Sequence, residues 1–355
     1  MKEFADIIRN ALPVFKSIPD ALYYGIWMLL VAGALLGVVS VIAGITSWVE
    51  RRVAGRMMSR FGPNRVGPQG SLQWIADGIK CLLKEDLIPA LADKPLFRLA
   101  PYIVFAGMFA TWVVFPFSKK IIVADLNIGI LYVLAVSSLV VIGILMAGWA
   151  SNNKWSLLGA MRAVAQIVSY EVPSVLAVLS VVLVSGTLSM QGIVEHQRGG
   201  SGVLRWNIFH DPFLFIAFFV FFIAQIAEGN RTPFDLPEAE SELVAGYSTE
   251  YSGMRFVMFY FAEWANLFVI GAVSSTLFFG GWEGPFIAGI HWFILKSCFF
   301  VFLLMWIRWT LPRLRVDQLM TLSWKYLTPF AFVCLVGAAA WILFLPDRYF
   351  MGMLK

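Results

Sequence analysis

Long apolar runs, each bounded by charged residues, Pro or Gly, recur along the whole chain. A run of about 17 to 25 apolar residues is long enough to cross a bilayer as a helix. The pattern predicts eight such spans, at residues 22–49, 98–117, 128–148, 160–185, 211–228, 254–280, 286–309 and 326–345. We therefore expect an all-α polytopic membrane helix bundle of about eight transmembrane helices, with residues 1–355 forming a single integral membrane domain.

The segment between the first two predicted spans has its own pattern. Residues 71–86 place Leu72, Ile75 and Ile79 on one helical face and Lys80 and Lys84 on the other, which predicts an amphipathic helix on the membrane surface. Residues 61–70, which read FGPNRVGPQG, are too rich in Gly and Pro for a helix or a regular strand. They predict an ordered loop.

Composition supports the membrane assignment and narrows the chemistry. The chain is 59% hydrophobic and 14% charged, whereas soluble domains are roughly 45–50% apolar and about 25% charged. Its three Cys and three His are scattered, without a CxxC pair, a glycine-rich nucleotide loop or a nucleophile–base motif. We therefore expect no metal site and no redox centre on this chain. Membrane lipid is an expected partner and nucleic acid is not.

Basic residues favour one orientation of the spans. With the N-terminus outside, 17 Lys and Arg fall in inside segments and nine in outside segments. The positive-inside rule then predicts that both termini are periplasmic and that the loops at 51–97 and 228–253 are cytoplasmic. These two loops are the expected functional and partner-docking face.

Three ionisable residues fall deep within predicted spans. Glu171, Glu263 and Lys296 are each expected near mid-depth, where a charge costs roughly 3 kcal/mol or more. One interpretation is a structural charge cluster whose members neutralise one another. The other is a proton relay, for which Pro173 would free a backbone carbonyl. Lys296 is either the counter-charge of the two glutamates or a relay member itself.

An acidic segment follows the fifth span. It contains Glu228, Asp235, Glu238, Glu240, Glu242 and Glu250, with Arg231 as the counter-charge. A solvated loop is the usual explanation of such a run. Here Pro, Phe, Leu and Tyr residues interleave with the acids, which predicts a folded, partly buried loop. The carboxylates then form a line from the cytoplasmic face to mid-membrane, which suits a proton or cation path.

Several stretches together resemble one family, the membrane subunit known as NuoH in bacteria and as subunit 1 in mitochondria, of proton-pumping NADH:quinone oxidoreductase, respiratory complex I. The resemblance runs nearly end to end. It is carried by residues 50–52, 60–68, 76–80, 84–85, 148–152, 162–166, 169–172, 306–308, 312–313, 317–320 and above all 227–244, which read AEGNRTPFDLPEAESELV. Trp264 departs from the family, where many members carry Tyr, and it lacks the hydroxyl that a proton relay would use.

The resemblance implies a place and a task for the chain. It would form the quinone chamber where the hydrophilic and membrane arms of the complex meet, and couple quinone reduction to proton translocation. It would bind no cofactor itself, with quinone as substrate and with FMN and iron–sulfur clusters in partner subunits. Expected partners are the subunit holding the terminal iron–sulfur cluster, the quinone-site hydrophilic subunit and small membrane subunits of a bacterial inner-membrane complex. The chain would not be catalytic alone.

The resemblance also assigns residues. The proton path would consist of Glu171, Glu228, Glu238, Glu240, Glu242, Glu250 and Glu263, to which the charge argument adds Lys296. Arg51, Asp77, Arg308 and Arg313 would surround the quinone cavity or its mouth, although anchoring to lipid headgroups or neighbouring subunits also explains them. Arg231 and Asp235 are expected to be scaffolding for the acidic loop, as an ion pair or an interface contact.

Two other functions are consistent with parts of the sequence. The related membrane subunit of an energy-converting hydrogenase would lack a quinone site, and the completeness of the 60–68 and 230–235 stretches disfavours it. A free-standing secondary transporter would have a midplane ion site, but the two halves of the chain show no inverted repeat.

Overall fold

The computed structural model describes residues 19–198, 202–237 and 243–344. Within these ranges the chain is helical and has no strand, apart from one isolated bridge between Ser118 and Ile121. The helices are α1 (Asp20–Met57), α2 (Gln73–Leu83), α3 (Lys94–Thr111), α4 (Gly129–Ala150), α5 (Lys154–Ser185), α6 (Met190–His196), α7 (Pro212–Glu228), α8 (Gly253–Phe278), α9 (Ile290–Thr310) and α10 (Val316–Phe344).

In the described part of the chain, seven helices are long and apolar enough to cross a membrane: α1, α3, α4, α5, α8, α9 and α10. The remaining predicted span corresponds to α7, an apolar helix of 17 residues. This confirms the predicted all-α, multi-pass membrane bundle. Helix α10 contains a π-helical stretch at Leu322–Leu327.

The bundle is organised around α5 and α8. Helix α5 packs against α4, α7 and α10, while α8 packs against α1, α3 and α9. Of the seven spans, α8 is the most buried and α1 the least. Large side chains such as Trp112, Phe221 and Phe278 are fully buried between these helices. Helix α1 therefore lies at the edge of the bundle, with a gap between it and the neighbouring helices α2 and α8.

Loop contacts define two ends of the bundle. Residues 58–93, 151–153, 229–237, 243–252 and 311–315 meet at one end, which we call the basic face. There Ser252 Oγ donates to the Glu85 carbonyl at 3.0 Å and Arg255 pairs with Asp86 at 3.2 Å. Residues 115–128, 186–198, 202–211 and 279–289 meet at the other end, the opposite face. Successive loops thus alternate between the two ends of the bundle, and they fall into the same two groups as in the count of basic residues.

The predicted amphipathic helix is α2, and it packs across α1. A Cβ on Gly44 of α1 would overlap the indole ring of Trp74, so only glycine allows this approach. Ile75, Ile79 and Leu82 are exposed along the apolar side of α2. The preceding loop is irregular, as predicted, apart from a 3₁₀ turn at Pro68–Gly70.

The acidic segment folds onto the end of α5 that extends beyond α7. A Cβ on Gly159 would lie 2.7 Å from the Gly246 Cα, and Ser156 Oγ donates to the Tyr247 carbonyl at 3.1 Å. Most of the apolar side chains that interleave with the acids are buried, namely Phe234, Leu236, Leu243, Tyr247 and Tyr251, whereas Val244 is exposed. The described parts of the loop are thus folded as predicted. Glu238, Glu240 and Glu242 lie outside the described residues.

Two prolines inside spans free carbonyls that distant side chains use. Pro101 cannot donate to Phe97, and the Tyr251 hydroxyl donates to the Phe97 carbonyl at 3.2 Å. Pro173 cannot donate to Ser169, and Ser323 Oγ donates to the Ser169 carbonyl at 2.6 Å. The carbonyl that Pro173 was predicted to free therefore accepts from a side chain of α10. In hydrocarbon such partners are required.

Replacing Ser323 by Ala tests this anchoring. Ser323→Ala leaves the buried Ser169 carbonyl without a donor, which costs about 1–3 kcal/mol. We expect a lower midpoint of thermal unfolding for the tagged chain in mild detergent, followed by circular dichroism. Ser40→Ala is the matched control, because Ser40 is partly exposed and its hydroxyl bonds within its own helix. Equal midpoints for the two variants would contradict the anchoring.

Candidate functional site

Three largely buried charged side chains meet where α1, α8 and the turn after α7 come together. Arg231 Nη1 lies 3.4 Å from both carboxylate oxygens of Glu50, and Arg231 Nη2 lies 3.0 Å from Glu263 Oε1. The side chains of Arg231 and Glu50 are 2% and 4% exposed, and that of Glu263 is 16% exposed. One guanidinium thus bridges two carboxylates through different nitrogens. We call these three residues the bridge cluster.

Local structure explains how Arg231 reaches this position. Helix α7 ends at Glu228, and Asn230 adopts a left-handed conformation (φ 50°), which Asn tolerates better than most residues. The chain then turns back, so that the Arg231 amide donates to the Ile226 carbonyl at 3.3 Å. Gln166 of α5 holds the turn by donating to the Ala227 carbonyl at 2.7 Å and to Asn230 Oδ1 at 3.2 Å.

Two further side chains complete the surroundings of the bridge cluster. Arg308, in the last turn of α9, lies 2.5 Å from Glu50 Oε1. The Trp264 ring lies beneath Arg231, with the guanidinium carbon 4.7 Å from the ring centroid, which is a cation–π distance. The resemblance marked Trp264 as a weakened relay position, but its contact with Arg231 indicates that it orients the guanidinium.

Two adjoining cavities lie beside the bridge cluster, and Glu50 lines the smaller of them. The larger, about 900 Å³, lies between α1, α2 and α8 and has apolar walls that include Ala43, Ile75, Ile79, Phe256 and Phe261. The smaller, about 390 Å³, is lined by Glu50, Arg308 and the loop at 60–63. Arg51, Tyr260 and Trp264 border both cavities. An apolar cavity of this size with a few polar groups at one end is typical of a small-molecule site.

Arg51 and Asp77 form an ion pair on the wall of the larger cavity, with 2.5 Å between Arg51 Nη1 and Asp77 Oδ2. Partial burial alone would raise the pKa of Asp77. Hydrogen bonds from Arg51 and Gln73 and the charges of Arg51 and Lys80 outweigh burial and hold that pKa below its usual value. Since the folded-state pKa is lowered, the pair persists at neutral pH and is lost only as pH falls through that lowered value.

A small cavity of about 60 Å³ lies deeper, between α3, α4, α5, α7 and α8. Most of its lining is apolar, but Glu171, Glu228, Gln225 and Asn266 also border it, and we call it the polar cavity after these groups. Room for one water needs about 10–15 Å³, so the space beside these groups is large enough for a few waters. Gln225 Nε2 donates to Glu228 at 2.6 Å, and Glu171 and Glu228 interact electrostatically. Asn266 lies one helical turn beyond Glu263 on α8.

The other predicted residues lie apart from these cavities. Asp235 pairs with Arg313 at 3.1 Å, which attaches the acidic loop to the loop before α10. Arg313 borders neither cavity at the bridge cluster, whereas Arg308 borders the smaller one. Glu250 accepts from Asn153 Nδ2 at 2.6 Å beside a surface pocket of the basic face.

The structure does not bring Lys296 to Glu263 and Glu171, so it is not their counter-charge, which was one of the two roles considered for it. Its ammonium donates to the carbonyls of Phe279, Gly281 and Glu283, at 2.5, 3.0 and 2.5 Å, and lies 4.3 Å from the Trp206 ring centroid. These residues belong to the opposite face. The sequence count placed Lys296 near mid-depth, but it is only six residues from the first residue of α9, Ile290. It caps the end of α8 instead.

Glu50 is a site residue that sequence reasoning missed. The first span was predicted to end at residue 49, so Glu50 was read as a loop boundary, but α1 continues to Met57. The sequence signal was the helical spacing of residues that continue past position 49 on one face of the helix. All of them are buried in the structure, namely Val39, Ala43, Ser47, Glu50 and Ala54. Among the described residues, no group of three or more His, Cys, Asp or Glu side chains is arranged to hold a metal ion.

Comparisons with known proteins give the family. The family model described as NADH dehydrogenase matches residues 29–339. The chain is 52% identical over 345 residues to the NADH-quinone oxidoreductase H subunit of Anaeromyxobacter dehalogenans, covering 90% of this chain and 83% of the relative. It is 53% identical over 311 residues to the protein of the same name from Brevibacillus brevis, covering 86% and 90%. The chain therefore belongs to the NADH dehydrogenase family, together with the H subunits of NADH-quinone oxidoreductase.

Proposed function

We propose that this chain, as a membrane subunit of NADH-quinone oxidoreductase, forms the chamber in which quinone is reduced and begins the path that couples this reaction to proton translocation. The observation that carries the proposal is the pair of adjoining cavities at the bridge cluster. Their apolar part suits a long hydrophobic tail, and their charged end suits a polar headgroup. The chain carries no redox centre in this scheme, and electrons come from flavin and iron–sulfur clusters of partner subunits.

The larger cavity is the proposed entry. It opens between α1 and the exposed apolar side of α2, so a quinone dissolved in the bilayer meets Ile75, Ile79 and Leu82 first. The headgroup then passes the Arg51–Asp77 pair. Glu50 and Arg308 line the smaller cavity beyond it. In this scheme these charged groups orient the headgroup, and Arg313 acts through Asp235 and the acidic loop.

The proton path starts where the cavities end. From Glu263, the step to Asn266 leads to the polar cavity lined by Glu171 and Glu228. This arrangement supports carboxylates and ordered water that pass protons toward the neighbouring membrane subunits. Glu250 and the glutamates at 238, 240 and 242 would supply the acidic entrance on the basic face. Lys296 lies at the opposite face and is not part of this path.

Location and partners follow from the same scheme. The basic face would be cytoplasmic in a bacterial inner membrane, with both termini periplasmic. The loops at 51–97 and 228–253 would dock the subunit with the terminal iron–sulfur cluster and the quinone-site hydrophilic subunit. The lateral surfaces of the spans would contact lipid and the small membrane subunits.

Purification in mild detergent tests the assignment. A tagged chain is expected to bring down flavin, iron and NADH-dependent quinone reduction. Co-purifying hydrogenase activity without quinone reduction would favour the hydrogenase subunit. A colourless single polypeptide that still exchanges protons for another ion would favour a free-standing transporter. Either result would overturn the proposal.

Removing the Arg51–Asp77 pair should weaken quinone binding. We expect Arg51→Ala and Asp77→Asn each to raise the Michaelis constant for quinone several-fold. A tenfold rise would correspond to a loss of about 1.4 kcal/mol of binding free energy. Arg56→Ala is the control, because Arg56 is exposed on the same helix and borders neither cavity. Michaelis constants that match the control in fully assembled complexes would rule out this role.

Neutralising the path glutamates should slow pumping. Glu263→Gln and Glu171→Gln keep the side-chain shape but remove the exchangeable proton, so quinone-reductase turnover and proton uptake should fall together by about tenfold or more. Both are measured in assembled complexes in proteoliposomes. Glu195→Gln is the control on the opposite face, where Glu195 pairs with Lys119. Normal pumping in a complex carrying both changes would contradict the path.

A further inference from the structure

The bridge cluster has an unusual distribution of contacts. Glu50 borders the smaller cavity, while Glu263 lies one helical turn from Asn266 of the polar cavity. Within the described ranges, Arg231 pairs with both carboxylates, each through a different nitrogen, whereas Arg308 pairs with Glu50. Arg231 therefore contacts one carboxylate that lines the smaller cavity and one that precedes Asn266 of the polar cavity on α8.

A shared counter-charge makes two carboxylates interdependent. If one carboxylate takes up a proton, it attracts the guanidinium less, and the guanidinium is then available to the other. In a site as buried as this one the exchange is weakly screened, because little water reaches the charges. Coupling between two sites is reciprocal, so a change at Glu263 must affect Glu50 equally.

We propose that Arg231 is the positioning residue that links the charge state of Glu50, at the quinone cavity, to that of Glu263, at the start of the proton path. This inference rests on the proposed function and adds the element that joins its two halves. It assigns Arg231 a role different from that of a scaffold for the acidic loop, which the sequence had predicted.

Other charges face the bridge cluster and set its balance. Glu50 also faces Arg308 and the charge of Arg51, while Glu263 faces the charges of Glu50 and Asp235. Asp235 is paired with Arg313. Arg308 therefore gives Glu50 a second cation, and Arg313 pairs with Asp235. Among the described contacts, the Arg231 guanidinium is the charge that reaches both Glu50 and Glu263.

The contact with Trp264 supports a positioning role. The indole ring lies against the guanidinium, and its face restricts the plane in which the two terminal nitrogens lie. Trp264 also borders both quinone-side cavities. A quinone headgroup that displaces this ring would change the orientation of the guanidinium. In this way, binding in the quinone-side cavities would act directly on the bridge cluster.

A double-mutant cycle in two backgrounds tests the link. Glu50→Gln, Glu263→Gln and their combination are made in assembled complex, first with Arg231 intact and then together with Arg231→Lys. Lysine keeps the charge but has one nitrogen in place of the fork that reaches both carboxylates. The readouts are quinone-coupled proton uptake, the Michaelis constant and turnover number for quinone, and the content of assembled complex.

With Arg231 intact, the effect of Glu50→Gln on proton uptake should differ about fivefold or more between the Glu263 and Glu263→Gln forms. In the Arg231→Lys background the two effects should multiply independently. Persistent coupling with Arg231→Lys would overturn the proposal, as would independent effects with Arg231 intact. If instead neither glutamate change affects uptake in either background, the proton path itself is wrong, and this outcome is distinct from failure of the link.

A second variant covers poor assembly of Arg231→Lys. Trp264→Leu leaves all three charges in place but removes the ring that orients the guanidinium. It should reduce the coupling between Glu50→Gln and Glu263→Gln about threefold or more, while a purely structural role would lower the amount of complex and leave the coupling unchanged. Unchanged coupling in Trp264→Leu would count against the positioning role.

Discussion

The burial of one guanidinium constrains much of this structure. A buried charge that loses its partner costs several kcal/mol, so Arg231 must have carboxylates within reach wherever the chain places it. Those carboxylates come from residues 50 and 263, which belong to helices α1 and α8. Helix α1 must therefore continue beyond its apolar run, and α7 must end early enough for the chain to turn back. The cavities beside the cluster follow from this geometry.

The membrane imposes the second constraint, that every backbone polar group has a partner. Pro101 and Pro173 each free a carbonyl, and Tyr251 and Ser323 supply the missing donors from distant parts of the chain. The first of these bonds fastens the end of the acidic loop to α3, and the second fastens the π-helical part of α10 to α5.

The apolar pattern predicted the helices well, because span length and face periodicity are local properties. The unequal distribution of basic residues along the chain also predicted that the acidic loop and α2 lie at the same end of the bundle. Contacts between distant residues were not predictable in this way. Glu50 was missed because a charged residue was taken to end a span, and Lys296 was misplaced because depth was counted along the sequence. That Arg231 would join Glu50 to Glu263 has no local signal at all.

In the proposed function, quinone chemistry and the carboxylate path meet at the bridge cluster. Infrared difference spectroscopy of the assembled complex tests this meeting point, by comparing oxidised with reduced quinone in the absorption range of protonated carboxyl groups. We expect a redox-dependent carboxyl signal that is altered both by Glu50→Gln and by Glu263→Gln, since the two side chains share one guanidinium. A signal that neither substitution changes, or that only Glu50→Gln changes, would show that the two processes do not meet there.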